Sequence, residues 1–232
     1  MKKARWLYLV VALALIGVSS AKADIIGPGG NVTGPGQAFN IGSYTDVAYT
    51  GDNPPLFNNA NGYALANIFT NDAGHGLWGE IVISDPNNVF CAGCFDFLIQ
   101  VSVETGDIGR VTTSDFSGFQ TSVGYWSGYW LTSLVQNGYP PEVNATSIER
   151  SSDGGIIGFS FSPGDVTTGK ATYLMVIETN ATNYKPGALQ FINGGVAYEQ
   201  GFAPAVPDGG MTLMLLGSAL VGLGTLRRRF RA

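Results

Sequence analysis

Between residues 24 and 205 the chain runs in short apolar segments rich in Val, Ile, Phe and Tyr, separated by clusters of Gly, Asn, Asp, Ser and Pro. This spacing predicts strands over Thr45–Tyr49, Ala64–Phe69, Leu77–Ser84, Phe95–Val103, Arg110–Thr113, Gly118–Tyr125, Tyr129–Leu134, Thr146–Arg150, Ile156–Phe161, Ala171–Glu178, Ala188–Ile192 and Val196–Phe202. In Phe97-Leu98-Ile99-Gln100-Val101-Ser102-Val103 the second half alternates apolar and polar, the mark of a half-buried strand. Ala171-Thr172-Tyr173-Leu174-Met175-Val176-Ile177 is almost wholly apolar and reads as a central strand. No stretch of the body holds a helical period, and glycine recurs too often for long helices. The expectation is an all-β, jelly-roll-like β-sandwich over residues 38–203, entered through an extended leader, residues 24–37, with Gly27-Pro28-Gly29-Gly30 and Gly34-Pro35-Gly36. Ala203-Pro204-Ala205 reads as a short linker after the last strand.

The two ends have a different pattern. Lys2, Lys3 and Arg5 precede an apolar run from Trp6 to Val18, and Ser19-Ser20-Ala21-Lys22-Ala23 closes it with small residues. That is the form of a secretory signal peptide, residues 1–23, cut between Ala23 and Asp24. An uncleaved anchor is the weaker reading, because the run is too short to span. The signal predicts export through the Sec translocon. At the other end, residues 204–232, Val206-Pro207-Asp208-Gly209-Gly210 leads into an apolar run from Met211 to Leu226, followed by Arg227, Arg228, Arg229 and Arg231. Sixteen apolar-run residues make a helix of about 24 Å, shorter than the roughly 20 residues a permanent span prefers. The arginines act as a stop-transfer signal and hold the C-terminus in the cytoplasm. A small-residue motif, a marginal transmembrane helix and a basic stop suit a transient membrane anchor that an enzyme cuts.

Charge sharpens this division. The chain has 232 residues, 45% hydrophobic and only 12% charged, with a formal net charge of −5. Eight of its 12 basic residues lie in the two terminal segments, so residues 24–206 carry four basic against sixteen acidic residues, a net of −12. An acidic body with basic ends is what sorting at a membrane produces. Few cations exclude a nucleic-acid partner, which needs phosphates neutralised. Few charges with many aromatics exclude a disordered chain.

The tail resembles the PEP-CTERM class of bacterial sorting signals, in the variant whose motif reads Val-Pro-Asp-(Ser/Gly)-Gly. The resemblance implies recognition and cleavage at Val206, Pro207, Asp208, Gly209 and Gly210 by an exosortase, a membrane-embedded cysteine transpeptidase. It also implies a host that makes extracellular polysaccharide, and a protein bound for the cell surface or the extracellular space. Met211-Thr212 stands where many members have Ser-Thr. The stretch Cys91-Ala92-Gly93-Cys94-Phe95-Asp96-Phe97, with Gln100-Val101 and Phe116-Ser117-Gly118-Phe119 further on, is similar to bodies often attached to such tails, with no enzymatic activity implied.

Candidate chemistry in the body is thin. Cys91 and Cys94 form one C-x-x-C. A structural disulfide fits an exported chain best. A redox pair would need a helix N-terminus, and zinc would need four ligands where two cysteines and one histidine exist. His75 sits among glycines and reads as a loop residue, with no Gly-x-Ser-x-Gly elbow elsewhere. Glu80, Asp96 and Glu178, in or beside predicted strands, are the carboxylates that could face a cleft, as a glycosidase pair must, although simple solvation is the plainer reading for carboxylates on a sandwich. Asp85-Pro86-Asn87-Asn88 offers hard oxygen ligands for calcium without a D-x-D-x-D-G loop. Tyr125-Trp126-Ser127-Gly128-Tyr129-Trp130 would stack a sugar through Trp126 and Trp130 if they are exposed, although core packing of alternate members is the plainer reading. Asn31, Asn144 and Asn180 begin N-x-T sequons. The sequence therefore predicts a non-catalytic, cofactor-free structural or adhesive module without a metal, sorted by an exosortase-like transpeptidase. The alternative is a carbohydrate-binding or carbohydrate-active domain. Paired carboxylates beside an exposed tryptophan would favour the latter; buried tryptophans and scattered carboxylates would favour the former.

Overall fold

The structure, a computed structural model, describes residues 24–41, 43–49, 67–71, 74–127 and 141–206. The signal segment, residues 1–23, the apolar run at 211–226, the basic tail and the strand expected at Tyr129–Leu134 lie outside these residues. What is described is all β, without a helix, as the alternation requires.

Sixteen strands form two sheets: β1 (Asn31–Thr33), β2 (Gln37–Ala38), β3 (Thr45–Tyr49), β4 (Asn67–Asn71), β5 (Gly74–Asp85), β6 (Cys94–Ile108), β7 (Arg110–Thr113), β8 (Thr121–Trp126), β9 (Pro141–Val143), β10 (Ser147–Arg150), β11 (Ile157–Ser160), β12 (Val166–Thr167), β13 (Ala171–Thr172), β14 (Leu174–Thr179), β15 (Asn183–Asn193) and β16 (Gly195–Ala205). One sheet runs β1-β10-β11-β7-β15-β16. The other is built on β2-β8-β14-β6-β13-β9, with β5 and β12 against β6 and β3 and β4 against β5. Pairing is antiparallel except at β2–β8 and β9–β13.

Strand β6 organises the larger sheet because its two side-chain faces serve two apolar clusters. Phe97, Ile99, Val101 and Val103 point into the main core, where Val111, Ile148, Phe159, Leu189 and Phe191 arrive from the smaller sheet. Leu98, on the opposite face, joins Ile81, Ile83, Leu174, Val176, Ile41 and Trp126 in a second cluster. Strand β14, flanked by β6 and β8, is buried along its whole length, which is why Leu174–Ile177 is apolar without alternation. The predicted Ala171–Glu178 strand breaks at Tyr173, whose N–H turns to the Val143 carbonyl.

Two expectations are revised at the edges of the body. The glycine-rich opening does more than lead in: β1 pairs with β10, β2 with β8, and Ile26 is buried. Strands of two or three residues leave no periodicity to read, so the sequence hides them. Ala203-Pro204-Ala205 is not a linker but the end of β16, paired with Tyr184 and Asn183 at its last rungs. Flanking glycine and proline conceal this, because Pro204 sits where the ladder does not need its missing N–H.

Arg150, 4% exposed, ties both sheets and the opening together. Its guanidinium donates to the carbonyls of Gly154 (3.0 Å), Ile26 (2.9 Å), Phe116 (2.8 Å) and Phe119 (2.9 Å) and to Thr121 Oγ1 (2.8 Å). Burial lowers its pKa, but a guanidinium stays charged. Arg150→Met should cost about 3 kcal/mol or more in denaturant unfolding, because several sealed acceptors lose their donor at once. Arg150→Lys, with three donors on a point charge, should recover only part of that loss.

Candidate functional site

The turn between β5 and β6 carries most of the chemistry the sequence singled out. Asp85 ends β5, and Cys94 begins β6 directly opposite it. Asp85 Oδ1 accepts the Asn87 N–H at 2.7 Å, and the Asp85 carbonyl accepts the Gly93 N–H at 2.8 Å. Gly93 has φ 81, a conformation glycine takes without strain. Cys91 and Cys94 lie at disulfide distance, with Cα atoms 5.3 Å apart, and close the turn where the sequence placed a structural bridge.

Asn88 is the plug of this turn and was not singled out by itself. Its Oδ1 accepts the N–H groups of Phe90 (2.8 Å) and Cys91 (3.4 Å). Its amide nitrogen donates to Asp96 Oδ1 (2.7 Å) and to the Thr179 carbonyl (3.1 Å). The signal that would have found it is an Asx residue two positions before a turn it must cap.

Beneath Asn88 lie three acids from three strands. Asp96 on β6 is paired with Glu178 on β14, and Asp85 comes from the end of β5. One oxygen from each lies within 4.8 Å of the others. They are 3% (Asp85), 0% (Asp96) and 4% (Glu178) exposed. Two-residue periodicity explains the meeting: Asp85, Asp96 and Glu178 continue the face of Ile83, Leu98 and Val176. Burial, then the Glu178 charge, hold Asp96 well above the usual carboxylate range, against the Asn88 amide. Burial pushes Glu178 up to about 7, partly offset by the Ser122 hydroxyl.

The other candidates stand apart. Glu80 on β5 is buried, and its Oε2 accepts the Phe202 N–H of β16 at 2.8 Å. It thus pins the last strand of one sheet to the other. Gly201 leaves room for that carboxylate, into which a Cβ there would run. His75 lies in β5 rather than in a loop, its Nδ1 2.9 Å from Thr105 Oγ1 and its Nε2 2.7 Å from Glu104. Trp126 does not offer a stacking face: it is 5% exposed and packs in the second apolar cluster, with the Tyr44 ring edge-on at 6.2 Å. The strand alternation of β8 turns it onto the covered face of the sheet. Trp130 lies outside the described residues. The acids therefore cluster, as a carbohydrate-active site would need, while Trp126 is buried, as a structural module would have it.

Asp24 precedes the first bridge, Ile25 to Ser122. At the other end Val206 is 72% exposed, one residue beyond the β15–β16 ladder. Pro207, Asp208, Gly209, Gly210, Arg227, Arg228, Arg229, Arg231 and Ala23 lie outside the described residues. Among the described residues no helix is long and apolar enough to cross a membrane.

The body and its exposed C-terminal exit thus define an all-β protein with a sorting signal. That signal is of the PEP-CTERM type: residues 205–230 match the VPDSG-CTERM motif. It implies export, sorting to the cell surface and an exosortase as the processing partner. No curated protein and no solved structure matches the chain.

The Glu80 carboxyl makes stability depend on pH in a definite direction. Burial pushes it from 4.5 up to about 8, so the folded chain keeps a proton that the unfolded chain releases. Its contribution is full below pH 4.5, declines as pH rises and levels off above about pH 8. The total is roughly 5 kcal/mol at most. Glu80→Gln should match the native chain near pH 4 and exceed it in urea midpoint at pH 8. Parallel pH profiles of the two proteins would contradict this assignment.

Proposed function

We propose that this protein is a non-catalytic structural or adhesive module of the bacterial surface or extracellular polysaccharide matrix. It is exported through the Sec translocon, held transiently by its C-terminal helix and released from that helix by an exosortase-like transpeptidase. The observation that carries this reading is the position of the VPDSG-CTERM motif directly after the last rung of β16. The body ends where the signal begins, so cutting at Val206–Gly210 separates a closed sandwich from its anchor without opening a ladder.

The non-catalytic part of the reading draws support from the carboxylates. A glycosidase pair must meet both substrate and water, whereas Glu80, Asp96 and Glu178 are sealed from solvent. A carbohydrate-active or carbohydrate-binding reading would require Trp130 to supply the sugar platform that the buried Trp126 does not.

Fractionation of native cells tests the sorting. Replacing Pro207-Asp208 by Ala-Ala should shift the protein from the surface and medium into the membrane fraction, at the mass of an uncut chain. Removing residues 207–232 should send it to the medium or periplasm without a membrane stage. An unchanged distribution for both variants would refute the proposal.

A further inference from the structure

The acid cluster under the β5–β6 turn has a property that packing alone does not explain. Three carboxylates converge in a region closed to water. Desolvating like charges together is costly unless protons or a cation neutralise them. Among the described residues the cations are engaged elsewhere: Arg110 with Glu149, Lys170 with Glu142, Lys185 with Asp115, and Arg150 with carbonyls.

The hydrogen bonds point to where a ligand sits. Asp85 Oδ1 is taken by the Asn87 N–H and Asp96 Oδ1 by the Asn88 amide. Asp96 Oδ2 and Glu178 Oε2, both fully sealed, accept no hydrogen bond at all. Native structures rarely leave such atoms unpaired, and a bound ion is one of the standard reasons. The protein thus orients two of the acids with one oxygen each and leaves sealed acceptors over.

We propose that Asp85, Asp96 and Glu178 bind a calcium ion. The donors are all hard oxygens, which select calcium or magnesium over zinc or copper. The nearest soft ligands, Cys91 and Cys94, are spent on each other, and His75 belongs to the opposite end of the β5–β6 hairpin. Three carboxylates on three strands form an irregular cage, which suits the flexible coordination of calcium better than the strict octahedron of magnesium. The Ser122 hydroxyl, buried and opposite Glu178 in the β8–β14 ladder, adds a neutral oxygen on the same face. Bidentate use of the carboxylates and turn carbonyls complete the six to eight ligands calcium takes. Asn88 is a positioning residue: it holds Asp96 and caps the cysteine turn, so the disulfide and the ion brace one corner. The ion joins β5, β6 and β14 where their ladder ends. Extracellular calcium modules bind in the range of about 10⁻⁴ to 10⁻³ M, and an exported protein meets calcium at such concentrations.

The test uses the purified full-length chain, stripped with EDTA and titrated with calcium chloride or magnesium chloride. Calorimetry and thermal melting should give one calcium per chain, a saturable rise in Tm, and at least tenfold weaker binding of magnesium. Asp96→Asn should weaken calcium at least tenfold, and Asp153→Asn, an acid of the exposed β10–β11 turn, should leave it unchanged. If Asp96→Asn does not fold, Asp85→Asn at the turn replaces it. No calcium heat and no Tm shift in the native chain would overturn the proposal. So would equal binding by the native chain and the cluster variants, or binding of magnesium as tight as that of calcium.

Discussion

A guanidinium cannot shed its charge on burial, so the fold must bring acceptors to Arg150. Those acceptors come from segments far apart in the chain. The Ile26 carbonyl belongs to the glycine-rich opening, those of Phe116 and Phe119 to the loop before β8, that of Gly154 to the β10–β11 turn, and the Thr121 hydroxyl to the larger sheet. Strand β10 carries Arg150 inward from the smaller sheet. One side chain thereby fixes the entry of the chain, a long loop and the spacing of two sheets. Hydrogen bonds with a charged donor are roughly twice as strong as neutral ones, which suits a post that has no carboxylate to lean on.

Glu80 plays the matching part at the exit. Its carboxyl reaches from β5 to the Phe202 N–H, so β16 is held by the larger sheet as well as by β15. Three residues later the ladder ends, and Val206 is already in solvent. Under the proposed sorting, a cleavage motif must be presented in an accessible backbone, and an anchor must not pull a strand out with it. Pinning β16 just before the motif meets both demands. The turn with Cys91, Cys94 and Asn88 braces a separate corner, so the stabilising devices are distributed over both ends of the sandwich.

Much of this was legible in the sequence. Phe97–Val103 and Leu174–Ile177 declare themselves by composition, and the structure makes them the two strands that share the centre of the larger sheet. The cysteine pair and the tail motif carry their own spacing. What was hidden depends on contacts far apart in the chain. Asp96 and Glu178 are separated by the whole middle of the body, and only strand register makes them neighbours. Asp85 joins them because a turn of eight residues reverses the chain on itself. Arg150 gave no local sign of burial, since an isolated arginine at a strand end reads as solvated. Trp126 misled for the opposite reason: an aromatic cluster around Gly128 suggests a displayed platform, whereas its strand turns it inward against Tyr44. The short strands β1, β2, β9 and β12 have too few residues for any period to register.

In the proposed sorting, a closed β body is delivered by one signal and parted from another. The intact mass of the protein recovered from native cells and medium tests it most directly. The expected mature chain begins at Asp24, ends within Val206–Gly210 and is two hydrogens lighter than its reduced form. A mature chain that retains Met211–Ala232 would contradict it, because the tail would then be a permanent anchor and not a sorting signal.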